Sequence, residues 1–188
     1  MGRDENINPW TTLNSRLIYE NPWLQLQEDQ VINPNGGEGI YGVVKFRNRA
    51  VAIIPVDDEG YTWLVGQYRY ALQAYSWEIP MGGHPLDQDP VVGASRELAE
   101  ETGLRAGRFQ EILRVDISNS VTDEEGVVYL AENLTLGDTA FDDTEDLQIK
   151  RLPLAEAINW ALDGRIRDGL SVTGLLKLAL LRSQQKTE

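Results

Sequence analysis

Between Asp89 and Gly103 the chain carries the signals for both ends of a helix. Asp89 suits an N-cap, Pro90 the first helical position, and Gly103 the left-handed residue that stops a helix. Within these limits Val91, Ser95, Leu98 and Thr102 share one face at helical spacing, with Leu98 as its main apolar anchor. Glu97, Glu100 and Glu101 share another, at separations that make them neighbours within one turn. Carboxylates packed that closely repel one another unless a cation sits among them, and no Lys at i+4 relieves this face. A turn, Met81-Gly82-Gly83, leads into the helix, and glycine there permits close approach of backbone to a ligand. Together these features point to a divalent metal and phosphate chemistry. The plainer reading is a solvated helix face in an acidic protein.

The segments around this helix read largely as strands bounded by turns. Residues 14–32 read as extended structure, Asn33 to Gly37 as a turn, and Ile40 to Phe46 as the second arm of a hairpin. Ala52 to Val56 and Tyr61 to Tyr68 predict a second hairpin about Asp57-Asp58-Glu59-Gly60, and Trp77 to Ile79 a short strand stopped by Pro80. Phe109 to Ile117, Val127 to Asn133 and Leu147 to Leu152 read as strands, Asp138 to Asp146 as a loop, and Leu154 to Leu162 and Ser171 to Arg182 as helices. A mixed sheet with a few helices predicts α/β/α layers.

Composition narrows the chemistry. A net charge of −13 over 188 residues argues against a nucleic-acid or membrane partner, and requires that any anionic substrate be met by local Arg, backbone N–H groups or metal. With no Cys and only His84, thiolate catalysis and multi-histidine metal sites are excluded; His84 itself reads as a loop residue. Met1 to Trp10 is polar and no apolar run nears the ~20 residues that span a bilayer, so the sequence predicts a cytoplasmic protein.

The stretch from Gly82 to Leu104 resembles the box of the Nudix hydrolases, G-x5-E-x7-R-E-U-x-E-E-x-G-U, where U is a bulky aliphatic residue. Gly82, Arg96, Glu97, Leu98, Glu100, Glu101, Gly103 and Leu104 match in register, eight of nine fixed positions. The departure is Gln88, where the family has its first Glu. In the family that Glu pairs with the box Arg; Gln88 is expected to accept a hydrogen bond from Arg96 without the charge-assisted part. Trp63 to Gly83 and Leu154 to Leu181, with Asp163-Gly164-Arg165-Ile166-Arg167-Asp168, resemble the ADP-ribose and nucleoside diphosphate sugar branch.

The resemblance implies an α/β fold, a Nudix-type α/β/α sandwich with a mixed sheet and an N-terminal β arm. The arm, residues 1–48, would serve dimerisation, and residues 49–188 would form the Nudix hydrolase domain. It implies Mg²⁺, with Mn²⁺ as a substitute, held by Glu97, Glu101, Glu100 and the carbonyl of Met81. Arg69 would contact the diphosphate, and Glu78, Glu124 and Trp23 are further substrate-binding candidates. Trp10 and Tyr19 offer stacking surfaces, though core or dimer contact explains arm aromatics as well. Glu145 or Asp143, in the acidic loop after the box, would supply the general base, with Glu101 also at the reacting centre. The partners implied are a small nucleoside diphosphate substrate and a second copy of the chain. ADP-ribose, cleaved to AMP and ribose 5-phosphate, is the first candidate. Asn119 stands where the ADP-ribose subfamily usually has Pro, which keeps other ADP- or GDP-sugars open. Gln88 keeps open a non-catalytic module that binds nucleotide sugars.

Overall fold

The computed structural model describes residues 7–137 and 147–185. The chain divides into two compact units, Met1–Arg47 with Ser118–Glu124, and Asn48–Ile117 with Glu125–Glu188.

The first unit is an antiparallel sheet of β1 (Thr11–Glu20), β2 (Leu24–Ile32) and β3 (Glu38–Phe46), in that order. The stretch read as one extended run from 14 to 32 is broken at Asn21. Its side-chain oxygen accepts hydrogen bonds from the N–H groups of Trp23 and Leu24, both at 2.9 Å, closing a turn with Pro22 inside it. Asn33 closes the next turn in the same way, accepting from Asn35 and Gly37. The segment Ser118–Glu124 lies along β3, where Val44 N–H donates to Val121 O and Phe46 N–H to the Asp123 carboxylate, each at 2.8 Å. Only Val31 is buried among the described residues of this unit.

In the second unit β4 (Asn48–Pro55), β7 (Met81–Pro85), β8 (Leu104–Asp116) and β9 (Glu125–Leu136) form a sheet ordered β7-β4-β9-β8, mixed because β4 and β9 run parallel. A second sheet, β10-β5-β6, joins β5 (Tyr61–Arg69), β6 (Ala74–Glu78) and β10 (Gln148–Pro153). The helices are α1 (Pro90–Thr102), α2 (Leu154–Asp163) and α3 (Gly169–Gln185). Alternation along β4 and β9 sends side chains to two cores. Ala52, Ile54, Val128 and Leu130 pack with α2 and α3. Ile53, Val127, Tyr129 and Ala131 pack with Ala94 and Leu98 of α1. Helices on both faces of the sheet make the α/β/α sandwich read from the sequence. No helix among the described residues is long and apolar enough to cross a membrane.

Two expected elements differ. The turn at Asp57 to Gly60 forms, but after one bridge, Val56 to Thr62, its arms part into separate sheets. The predicted Met81-Gly82-Gly83 turn is instead strand, β7, with Gly82 opposite Val51 and Gly83 opposite Ala50. His84, read as a loop residue, is therefore a buried strand residue, its ring against Gly93 of α1. The loop expected at Asp138 to Asp146 lies outside the described residues.

Candidate active site

Helix α1 begins and ends where its sequence dictates. The Asp89 carboxylate accepts from Val91 N–H at 3.1 Å, Pro90 takes the first turn, and Gly103 adopts a φ of 70° at the C-terminus. The buried face is not the one expected. Ser95 is exposed, and Gly93, Ala94, Glu97, Leu98, Glu101 and Thr102 turn inward. Two of the three box carboxylates thus share the apolar stripe: Glu97 is 8% exposed and Glu101 1%. A carboxylate that deep costs free energy unless it is paired and hydrogen-bonded.

The partners come from α1 itself and from β7. Met81 N–H donates to the Glu101 carboxylate at 3.0 Å. Arg96 donates to Glu100 at 2.6 Å, to the carbonyl of Gly83 at 3.0 Å, and to Glu97. The expected bond from Arg96 to Gln88 is not among these. A guanidinium surrounded by two carboxylates and a carbonyl satisfies itself with charged acceptors before a neutral amide. Arg96 also supplies the relief that was sought in a Lys, from the other direction, as the residue four before Glu100. Burial opposes its charge, and Glu97 and Glu100 overcome this to raise its pKa.

Gly82 sets the approach of strand to helix. A Cβ there would stand 2.2 Å from the Glu97 carboxylate, so only glycine lets that group lie against the β7 backbone. Among the described residues no three carboxylate or imidazole side chains are already grouped as a metal cluster. The donor set nevertheless fits a hard divalent cation. It offers two buried carboxylates four residues apart on one helix face, with Glu100 beside them, in a cradle that a side chain at Gly82 would fill.

A second pair lies at the end of β5 and β6. Glu78, 3% exposed, accepts from Arg69 through both oxygens, one at 3.0 Å from Nε. The Glu78 hydrogen bonds raise the Arg69 pKa against the opposing effect of burial, with smaller help from the charges of Asp168 and Glu101. Both residues line a cavity of about 620 Å³, with Tyr70, Tyr75, Arg165 and Arg167 among its other walls. Glu97, Glu100 and Glu101 do not line it. Arg165 and Arg167 had no role in the sequence reading; two arginines around one buried Ile166 in so acidic a chain were the available signal. Trp23, 68% exposed, and Glu124 belong to the first unit. Asp143 and Glu145 lie outside the described residues.

Comparison with known proteins agrees with this architecture. Residues 10–44 match the model of the nucleoside diphosphate sugar hydrolase N-terminal domain, and residues 46–170 that of the NUDIX domain. The chain is 34% identical to an ADP-ribose pyrophosphatase of Mycobacterium tuberculosis, over 88% of this chain and 81% of that one. It is 32% identical to a methanol dehydrogenase activator of Bacillus methanolicus, over 90% and 92%. The crystal structure of an ADP compounds hydrolase superposes with a TM-score of 0.85 at 20% identity, covering 97% of this chain and 98% of the other, which speaks to the fold. The NUDIX match, over most of the chain and spanning the helix whose Glu97 lies against Gly82, makes this protein a member of the Nudix hydrolase family.

Proposed function

We propose that this chain hydrolyses the diphosphate bond of ADP-ribose, adding water across the phosphoanhydride to give AMP and ribose 5-phosphate. Nudix hydrolases generally need a divalent metal; here Mg²⁺ is the ion, with Mn²⁺ as a substitute, because the donors are all oxygen. The observation that carries the reading is the pair of buried carboxylates, Glu97 and Glu101, lying with Gly82 at the junction of α1 and β7. The likeness to the M. tuberculosis ADP-ribose pyrophosphatase supports the substrate.

Glu97 and Glu101 would hold the cation, with Glu100 and the Met81 carbonyl completing its shell. Bound there, the ion supplies neutralisation of the diphosphate charge and a more acidic water. Arg69, charged at any working pH and partly open to the cavity, grips a phosphate while Glu78 fixes its orientation. Glu145 or Asp143 accepts the proton of the attacking water. Glu124 and Trp23 contribute substrate contacts, and the arm, residues 1–48, pairs two copies of the chain. Exposed Leu13, Leu17, Ile18 and Tyr19 on β1 support that pairing, since a strand with so much exposed apolar surface gains from a covering partner.

A panel of nucleoside diphosphate compounds with Mg²⁺, read by phosphatase-coupled phosphate release, tests the assignment. ADP-ribose is expected to turn over fastest. Preference for another ADP- or GDP-sugar would move the substrate but keep the reaction. One observation favours a binding-only alternative: Arg96, unclaimed by Gln88, occupies two of the box glutamates. Under that alternative ADP-ribose would raise the melting temperature while nothing turned over.

A further inference from the structure

The cavity beside Arg69 has a wall that the reaction above does not use. Residues 164–168 cross from α2 to α3 with Ile166 buried, 1% exposed, as their anchor. Its N–H donates to Trp160 O at 2.9 Å. Arg165 and Arg167, on either side of it, both line the cavity. Arg165 is committed: it pairs with Asp163 and lies over the Trp160 ring, 4.7 Å from its centroid. Arg167 has no hydrogen-bond or ion-pair partner among the described residues.

Arg167 is nonetheless well placed. The next residue, Asp168, caps α3 by accepting from Ser171 N–H at 2.8 Å and from the Ser171 hydroxyl at 2.7 Å. That hydroxyl, fully buried, accepts in turn from Ile79 N–H at 3.0 Å. Ile79 follows Glu78. One hydrogen-bonded chain therefore ties the backbone next to Arg167 to the backbone next to the Arg69–Glu78 pair. The free guanidinium stands on a rigid support, which limits the ordering cost of gripping a ligand. In a chain of net charge −13 an arginine with no carboxylate of its own among the described residues, on a cavity with Tyr70 and Tyr75, is suited to an anion from outside the protein.

We propose that this cavity is the subsite for the phosphorylated sugar half of the substrate, and that Arg167 is its specificity-determining residue, binding the phosphomonoester that leaves as ribose 5-phosphate. The proposal rests on the hydrolase reading above and names the half of the substrate that this cavity takes. Tyr70 and Tyr75 would wall the sugar, and Arg69 would share the phosphate.

Binding measured without turnover separates the two claims. Ribose 5-phosphate, inorganic phosphate and AMP would each be titrated calorimetrically into wild type, Arg167→Ala, Arg167→Lys and, as a control away from the cavity, Arg105→Ala. Ribose 5-phosphate should bind wild type more tightly than inorganic phosphate does. Arg167→Ala should weaken it about tenfold, with Lys restoring part of the loss because it keeps the charge but not the planar fork. AMP binding should stay within about twofold across the set, and KM for ADP-ribose should rise in Arg167→Ala with kcat nearly unchanged. Ribose 5-phosphate bound equally by wild type and Arg167→Ala would overturn the proposal. So would inorganic phosphate binding as tightly as the sugar phosphate, which would make the cavity a site for free phosphate. If wild type hydrolyses no nucleoside diphosphate, the reaction fails, and the titrations still decide what the cavity binds.

Discussion

Two arginine–glutamate clusters flank Met81, and they are built differently. Arg69 meets Glu78 between neighbouring strands, with both carboxylate oxygens engaged and the carboxylate 3% exposed. Arg96 meets Glu97 and Glu100 within one helix and shares itself with a backbone carbonyl as well. The first is a closed pair in which each group depends on the other. The second is a more open arrangement, with the Arg96 side chain 45% and the Glu100 side chain 38% exposed, though Glu97 is only 10% exposed. A closed pair positions a charge; an open one can exchange partners, as carboxylates that take a metal must.

The largest expected effect belongs to the helix cluster. Glu101→Gln keeps the shape and can still accept from Met81 N–H, but removes the charge; kcat should fall on the order of 10³-fold, with an unchanged circular dichroism spectrum. Activity within a few-fold of wild type would remove Glu101 from the metal set. Next comes stability. Arg69→Ala strands a carboxylate bound, among the described residues, to it alone through both oxygens and should cost about 3 kcal/mol in urea unfolding, whereas Arg96→Ala, which frees buried Glu97 but removes a half-exposed side chain, should cost less, about 1–2 kcal/mol. Equal costs would erase the distinction between closed and open clusters. Gly82→Ala is subtler. The atom it strikes is the far end of the Glu97 side chain, which can swing away, so the fold should survive while Mn²⁺ affinity, read by electron paramagnetic resonance, falls by roughly 10- to 100-fold. Loss of the fold instead would make Gly82 a packing residue. The smallest effect is Gln88→Glu. It offers Arg96 a charged partner outside the helix, and metal affinity and activity should change by no more than a few-fold, upward. A large loss would give Gln88 a role of its own.

What could be read in the sequence follows from how local each signal is. The ends of α1 were legible because Asp89, Pro90 and Gly103 act on backbone within a residue or two. The α/β/α layering was legible from a mixed sheet with a few helices, but the division into two cores was not, because β4 and β9 are apolar on both faces. Gly82 and Gly83 misled, because glycine is a poor strand former; in β7 Gly82 answers to the Glu97 carboxylate on α1, and Gly83 lies against the Asn48 side chain. The break at Asn21 was hidden inside an apolar stretch, since its turn depends on one side-chain oxygen. Arg96 faces Glu100, its i+4 partner within the helix, and not Gln88 outside it, because a local carboxylate outcompetes a neutral amide. The sequence marked Arg167 only as one of a pair of arginines in an acidic chain; its placement depends on a contact between Ser171 and Ile79, 92 positions apart in sequence.

The central claim is that buried glutamates on α1 hold a metal for diphosphate hydrolysis. Phosphorus NMR of the purified chain with ADP-ribose and Mg²⁺ tests it most directly. The diphosphate resonances should give way to two phosphomonoester resonances, those of AMP and ribose 5-phosphate, and excess EDTA should stop the conversion. Persistence of the diphosphate with either Mg²⁺ or Mn²⁺ would contradict the account, as would hydrolysis that continues undiminished in EDTA.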